Sequence, residues 1–275
     1  MNLAIVVYTN ETNLPILRLF LDYFFKHNPN FNLPIYVVAN KFTIFDLPYL
    51  DRVKYLAGDV EFDSIGGHFS KTLNNVLPQI KEDYIFYFCE DYILTDPIDI
   101  TGLNNLVKLM NDENIDLFSF ASSYANQYNR PLFNIDYSKY GFENNIFHHM
   151  DPNYRHAFSI QPCIWKKSSL TQLLQDNPDI NPHELDCSEI ANKNHYKIIC
   201  TKYYIYDLAY PAEYFIIGYK EIIRHGAFLM DLNGHETLTG THGDTFVKQL
   251  IKENNLLNNP EYNKYIGFDK SLFIW

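Results

Sequence analysis

Tyr84-Ile85-Phe86-Tyr87-Phe88-Cys89-Glu90-Asp91-Tyr92-Ile93-Leu94 is the stretch on which the reading of this chain turns. From Tyr84 to Cys89 every side chain is apolar or aromatic, which makes this the most apolar strand candidate in the sequence. The run ends in two adjacent carboxylates, Glu90 and Asp91, and then turns apolar again. In α/β sheets, ligands bind outside the carboxyl ends of the strands. Two acids at such a place suit a hard cation that neutralises a diphosphate. The competing reading is that the pair only caps a turn.

Outward from this strand, apolar runs alternate with helical patterns. Leu3 to Tyr8 predicts a first strand, and it ends at Thr9-Asn10-Glu11-Thr12, a cluster of turn and cap formers. Leu17, Leu21, Phe24 and Phe25 recur at helical spacing between Leu14 and Phe25. Pro34 to Ala39 predicts a second strand and Val53 to Leu56 a shorter third, with a helical pattern from His68 to Ile80. This alternation predicts an α/β fold around a mostly parallel central sheet flanked by helices.

The second half is less regular. A helix is predicted over Thr101 to Met110, followed by strands over Asp116 to Phe120 and Ala157 to Trp165. Another helix is predicted over Ser168 to Gln175, capped by Ser168 or Ser169. Ile198 to Tyr206 and Tyr214 to Ile217 are again apolar. Residues 122 to 155 are rich in Tyr, Asn and Phe without a period, as expected of an irregular wall, or a closing segment, over a site. Nothing reads as a linker, repeat or low-complexity tract. One domain spanning 1–275 is expected.

Composition narrows the partners. Of the 275 residues, 47% are hydrophobic and 16% aromatic, which gives ample core and argues against disorder. The formal net charge of −11 disfavours generic nucleic-acid binding, which needs surplus Lys and Arg. The four cysteines, Cys89, Cys163, Cys187 and Cys200, form no C-x-x-C pair, so buried free thiols are expected. The amino terminus has no basic leader, and no apolar run reaches the ~18 residues of a membrane-spanning helix. A cytoplasmic protein is the expectation.

Several site chemistries lack their motifs. Tyr8-Thr9-Asn10-Glu11-Thr12 stands where a dinucleotide fold needs G-x-G-x-x-G. No G-x-x-x-x-G-K-[ST], G-x-S-x-G or H-E-x-x-H is present. The Gly- and Arg-rich loop of sugar nucleotidyltransferases is missing after the first strand.

Several weak motifs then occur in a telling order. They are Phe69-Ser70-Lys71-Thr72-Leu73, Leu77-Pro78-Gln79-Ile80, the stretch from Tyr84 to Leu94, and Pro97-Ile98-Asp99. Further on come Ser159-Ile160-Gln161-Pro162-Cys163-Ile164-Trp165-Lys166-Lys167-Ser168, Pro182-His183-Glu184-Leu185-Asp186 and Ile222-Ile223-Arg224-His225-Gly226. Together they resemble GT-A-fold glycosyltransferases of bacterial and viral type, over roughly residues 1 to 230. The acidic motif here is Glu90-Asp91-Tyr92 rather than two aspartates flanking one residue. No Trp precedes Glu184.

The resemblance implies an inverting transferase that moves a sugar from a nucleotide-diphosphate donor, a UDP-sugar foremost, to a hydroxyl of a glycan or other acceptor, with Mn²⁺ or Mg²⁺. A GT-A, Rossmann-like sheet is implied, with residues 1–100 binding the donor. Residues 101–230 would form an irregular acceptor half, and a tail over 231–275 would pack on the core. Asp91 is the implied metal ligand, with Glu90 on the ribose or in the metal's shell; His242 is either a further ligand or a structural or exposed histidine. Thr9, Asn10 and Glu11 line the nucleoside pocket in this reading, with helix capping as the competing role. Asp59 meets the base or ribose in this reading, or is simply a solvated loop acid; Lys71 meets the diphosphate, or is a snorkelling surface lysine. Glu184 or Asp186 serves as general base; each also fits a helix-terminal acid. Trp165 reads as a sugar platform or, more simply, as core. Two rivals stay open: a glycosyltransferase acting on a hydroxymethylpyrimidine base in DNA, and a non-catalytic sugar-binding relative.

Overall fold

The computed structural model describes residues 2–10, 13–42, 47–61, 68–120, 134–143, 146–150, 162–175, 193–201, 219–221, 223–224, 227–228, 249–250 and 252–262. The strands are β1 (Leu3–Tyr8), β2 (Ile35–Ala39), β3 (Lys54–Ala57), β4 (Tyr84–Cys89), β5 (Tyr92–Leu94), β6 (Leu117–Ser119), β7 (Phe147–His149), β8 (Cys163–Lys166), β9 (Ile198–Thr201), β10 (Tyr219–Glu221), β11 (Ile223–Arg224) and β12 (Ala227–Phe228). The helices are α1 (Leu14–His27), α2 (His68–Val76), α3 (Ile100–Asp112) and α4 (Lys167–Gln175). Eight strands form one sheet in the order β3-β2-β1-β4-β8-β6-β9-β7. The pairs among β3, β2, β1 and β4 are parallel, as is β6 with β9, while β8 and β7 run against their neighbours. β5 and β10 make a separate antiparallel ribbon. The expected α/β architecture with a mostly parallel central sheet is the one observed.

Alternation along the strands explains the layering. Leu3, Ile5 and Val7 of β1, with Tyr84, Phe86 and Phe88 of β4, enter one core with α1 and α3. Ala4, Val6 and Tyr8, with Ile85 and Tyr87, enter a second core beneath α2 and α4. Both faces of the central strands are therefore covered, so those strands read as unbroken apolar runs. Trp165, 1% exposed, lies in the second core and is not a surface platform.

The helices begin and end for local reasons. Pro15 in its first turn suits α1, since the missing N–H has no intrahelical partner there. At its other end the buried Asn28 donates Nδ2 to the Phe24 carbonyl, 3.1 Å, and accepts from Ile98 N–H, 2.9 Å. α2 gives way after Val76 to a tighter turn, Leu77–Gln79, because Pro78 cannot donate to a helical ladder. Asp99 caps α3 by accepting from Thr101 N–H at 3.0 Å.

Two expectations are corrected. Neither Ser168 nor Ser169 caps α4, which starts at Lys167 directly from β8, with Lys167 N–H donating to the Asp83 carbonyl at 2.8 Å. The Ser169 hydroxyl instead donates to Asp116 at 2.5 Å. The segment from 122 to 155 is also not wholly a wall. β7 pairs with β9 at the sheet edge, and Tyr137, Tyr140, Phe147 and Met150 are buried. A three-residue edge strand is too short to impose a period on the sequence. Residues 122–133, 144–145 and 151–155 lie outside the described residues.

Among the described residues, Cys163 and Cys200 are buried free thiols and Cys89 is a half-buried one. No helix among them is long and apolar enough to cross a membrane.

Candidate functional site

Strand order reverses direction of build at β1 and β4, because β2 and β3 extend one way from β1 and β8 the other. A crevice outside the carboxyl ends of the strands opens at such a switch point. Register sets what lies there. Tyr8 faces Val38 on one side and Cys89 on the other, and Ala39 faces Ala57. Thr9, Asn40, Gly58 and Glu90 each follow the last paired residue, and so share one edge of the sheet.

Hydrogen bonding continues past the strands and holds that edge. Thr9 N–H donates to Val38 carbonyl at 2.9 Å, Gly58 N–H to Ala39 at 2.9 Å and Glu90 N–H to Tyr8 at 3.3 Å. Thr9 is buried and its hydroxyl donates to the Asn10 carbonyl at 3.3 Å; Asn10 is half-buried. Neither forms the N-cap of α1, which is Asn13. The competing capping role for Thr9 and Asn10 is thus not the one the helix uses.

Glu90 is buried, 6% exposed, and its Oε1 accepts from Asn13 Nδ2 at 2.7 Å. This bond ties the end of β4 to the start of α1, whose positive dipole end favours a carboxylate. Asp91 follows, half-buried, with its Oδ1 shielded from solvent. The local potential is negative. Burial first, then the charges of Asp91 and Glu90, push the Cys89 thiol well above its usual range. The Tyr8 phenol is raised by burial, then by Cys89 and Glu90. Neither group ionises near neutral pH.

On the α2 side, Phe69 packs edge-on against Tyr8 with centroids 4.8 Å apart. Gly58 lies so close to α2 that a Cβ there would stand 2.7 Å from Thr72 Cα. Asn75 Nδ2 closes the contact by donating to the Gly58 carbonyl at 2.7 Å. Asp59 follows in the left-handed region, φ +53°, exposed at the mouth of the edge. Lys71 is exposed on α2, between the buried Ser70 and Thr72.

The structure thus brings Thr9, Asn10, Asp59, Glu90 and Asp91 to one sheet edge, with Lys71 on the helix beside it. Glu11, Glu184, Asp186 and His242 lie outside the described residues. Sequence reasoning missed Asn13 and Asn40. Asn13 stands just beyond the Thr9-Asn10-Glu11-Thr12 cluster. Asn40 is fully buried and donates Nδ2 to the Val60 carbonyl at 3.4 Å. A polar residue directly after the apolar run Ile35–Ala39 was the available signal.

Among the described residues no group of three His, Cys, Asp or Glu side chains could hold a metal ion. Two carboxylates still fit a hard divalent cation, which commonly takes one or two carboxylates and completes its shell with substrate phosphates and water.

No protein-family model matches the chain, and no curated protein matches it. Among solved structures it is similar to a mannosyltransferase from Pyrobaculum calidifontis in complex with GDP-Man and Mn²⁺. That likeness has 13% identity and TM-score 0.44, and covers 76% of this chain and 58% of that one. It is similar to S. aureus TarS 1-349 in complex with UDP-GlcNAc at 16% identity and TM-score 0.45, covering 73% and 56%. It is also similar to the galactosyltransferase LgtC in complex with donor and acceptor sugar analogues, at 11% identity and TM-score 0.38, covering 72% of each. The chain spans a little over half the length of the first two. The functional case rests on the chain's own residues rather than on these likenesses.

Proposed function

We propose that the chain is a nucleotide-sugar-dependent glycosyltransferase of GT-A type that transfers a hexosyl or pentosyl group to a hydroxyl acceptor with inversion. One observation carries this reading: adjacent carboxylates, Glu90 and Asp91, end the central strand β4 at the switch point, beside Thr9 and Asn10. An acidic edge of this kind repels a bare diphosphate, so it suits a diphosphate that arrives with a divalent cation. The ordered motifs that resemble GT-A enzymes support the same assignment.

Asp91 would hold Mn²⁺ or Mg²⁺, with Glu90 in its shell or on the ribose and His242 as a further ligand. The cation supplies charge neutralisation for the leaving diphosphate. Thr9, Asn10, Glu11 and Asp59 would line the nucleoside, and Lys71 would meet the diphosphate. The acceptor oxygen bonds to the anomeric carbon as the bond from that carbon to the diphosphate oxygen breaks. The hydroxyl proton passes to the carboxylate of Glu184 or Asp186.

A thermal-shift panel of UDP-, GDP-, CDP- and dTDP-sugars with and without Mn²⁺ tests the reading. A metal-dependent rise in Tm with one nucleotide class is expected, followed by release of the nucleoside diphosphate when acceptor is added. No shift with any member overturns it. Binding without any donor turnover makes the chain a sugar-nucleotide-binding relative instead.

A further inference from the structure

Asn13 occupies the N-cap of α1, a position where an Asn side chain ordinarily accepts from the second or third helical N–H. Here it makes no such bond, and Pro15 removes one of the two donors. Its Nδ2 instead crosses to Glu90 Oε1, 77 residues away in sequence, at 2.7 Å. α1 also has no acid in its first turn, so the Glu90 carboxylate, carried in from β4, sits where the helix favours negative charge. Beside it stand Tyr8 from β1 and Cys89 from β4, and Asp91 is the neighbouring acid.

We propose that Asn13 is a positioning residue that forgoes capping its helix in order to fix the Glu90 carboxylate at the donor edge. The inference rests on the glycosyltransferase reading above. A carboxylate on a short strand end has rotational freedom; a 2.7 Å bond to a helix terminus removes it. With Glu90 oriented, Asp91 and Glu90 present a fixed pair to the incoming nucleotide. Asn13 itself need not touch the donor.

The test separates capping from positioning. Ser caps as well as Asn, but its side chain is too short to reach Glu90. Asn13→Ser supplies the cap that Asn13 forgoes, which offsets part of the lost bond, so its Tm should fall less than that of Asn13→Ala. Its Kd, measured by calorimetry with Mn²⁺ and the tightest nucleotide sugar of the panel, should rise by about tenfold, the loss of one hydrogen bond to a charged group. Asn13→Ala should give the same rise in Kd with a lower Tm. In a Glu90→Ala background Asn13→Ala should add nothing, because its effect passes through Glu90. Where Glu90→Ala leaves no measurable binding, the cycle is read in Tm: coupling supports the proposal and additivity overturns it. Wild-type affinity in Asn13→Ser also overturns it and leaves the functional reading intact. A wild-type protein that binds no nucleotide sugar overturns the functional reading, and with it the role of Asn13.

Discussion

The two halves of the sheet are built by different rules. In β3-β2-β1-β4 every pairing is parallel, each strand is joined to the next through a helix or crossover, and the carboxyl ends finish level. In β8-β6-β9-β7 the strands are three or four residues long, and β8 and β7 are antiparallel to their neighbours. The first half concentrates its chemistry at one edge, where Thr9, Asn10, Asp59, Glu90 and Asp91 converge. The second half holds itself together through polar locks. Asp116 accepts from the Ser169 hydroxyl at 2.5 Å and from Lys197 N–H at 2.8 Å, and Lys197 Nζ donates to the Glu113 carbonyl at 2.7 Å.

The largest effect should fall on the donor edge. Asp91→Asn keeps the shape of the side chain and removes its charge. Turnover should drop by ~10³ or more, because a bound cation contributes several kcal/mol to such transfers. Tm should move little. Steady-state transfer at saturating Mn²⁺ checks this; turnover at the wild-type rate would put the chemistry outside the donor half and dissolve the contrast.

This contrast also explains what was legible in the sequence. Strands buried on both faces wrote continuous apolar runs, so β1, β2 and β4 stood out, and Glu90-Asp91 stood out at the end of β4. Capping chemistry was less readable. Asn13 and Ser169 have the composition of caps, yet their side chains go to Glu90 and Asp116, and only the tertiary fold decides between a local and a distant partner. β7 was invisible because an edge strand of three residues with aromatic and histidine side chains has no period to detect. Gly58 gave no signal either, since close helix approach is a property of the packed sheet.

Rigidity of the donor edge is the next point to probe. Gly58→Ala would place a methyl group 2.7 Å from Thr72 Cα, so α2 must move away from the end of β3. Overpacking of this kind costs about 1–3 kcal/mol, and Tm should fall by several degrees. Asn75 and Asp59 would shift with it, so nucleotide binding should weaken too. Thermal melts with calorimetry decide the matter. An unchanged Tm would mean that α2 is not seated on the sheet as described.

For the second half of the sheet the corresponding probe is pH. Burial first, then Lys197 and His148, hold His149 down to about 4, and its Nε2 lies 3.1 Å from the Tyr137 hydroxyl. The unfolded chain takes up this proton near 6.5. Stability from this site is therefore full above that pH and declines as pH falls toward 4. Melts at a series of pH values across that window should show a steeper loss in the wild type than in His149→Gln, which keeps a polar partner for Tyr137 but does not titrate. Parallel slopes would remove His149 as the acid-sensitive point of this half.

The smallest effect concerns the segment that joins neither half of the sheet. Leu250, Leu256 and Tyr262 are buried in the core that contains α1. The Tyr262 hydroxyl donates to the Pro15 carbonyl at 2.9 Å, two residues beyond the Asn13 that holds Glu90. Near the other end of the helix, the Tyr23 hydroxyl donates to Glu253 and accepts from Asn254, each at 3.3 Å. This segment therefore grips α1 near both ends, and burial raises the Tyr262 phenol to about 12, so it remains a hydrogen-bond donor at neutral pH. Tyr262→Phe keeps the ring in the core and deletes only that bond. A net loss of ~1 kcal/mol corresponds to a Tm lower by about 2–4 °C in a chain of this size. If the first turn of α1 relays the change to Glu90, the Kd for nucleotide sugar should rise by about twofold. A fall in Tm with unchanged Kd would make the tail a fastener of the fold alone. With neither quantity altered, burial of Leu250 and Leu256 is enough to dock the tail, and the donor edge owes its order entirely to the parallel half of the sheet.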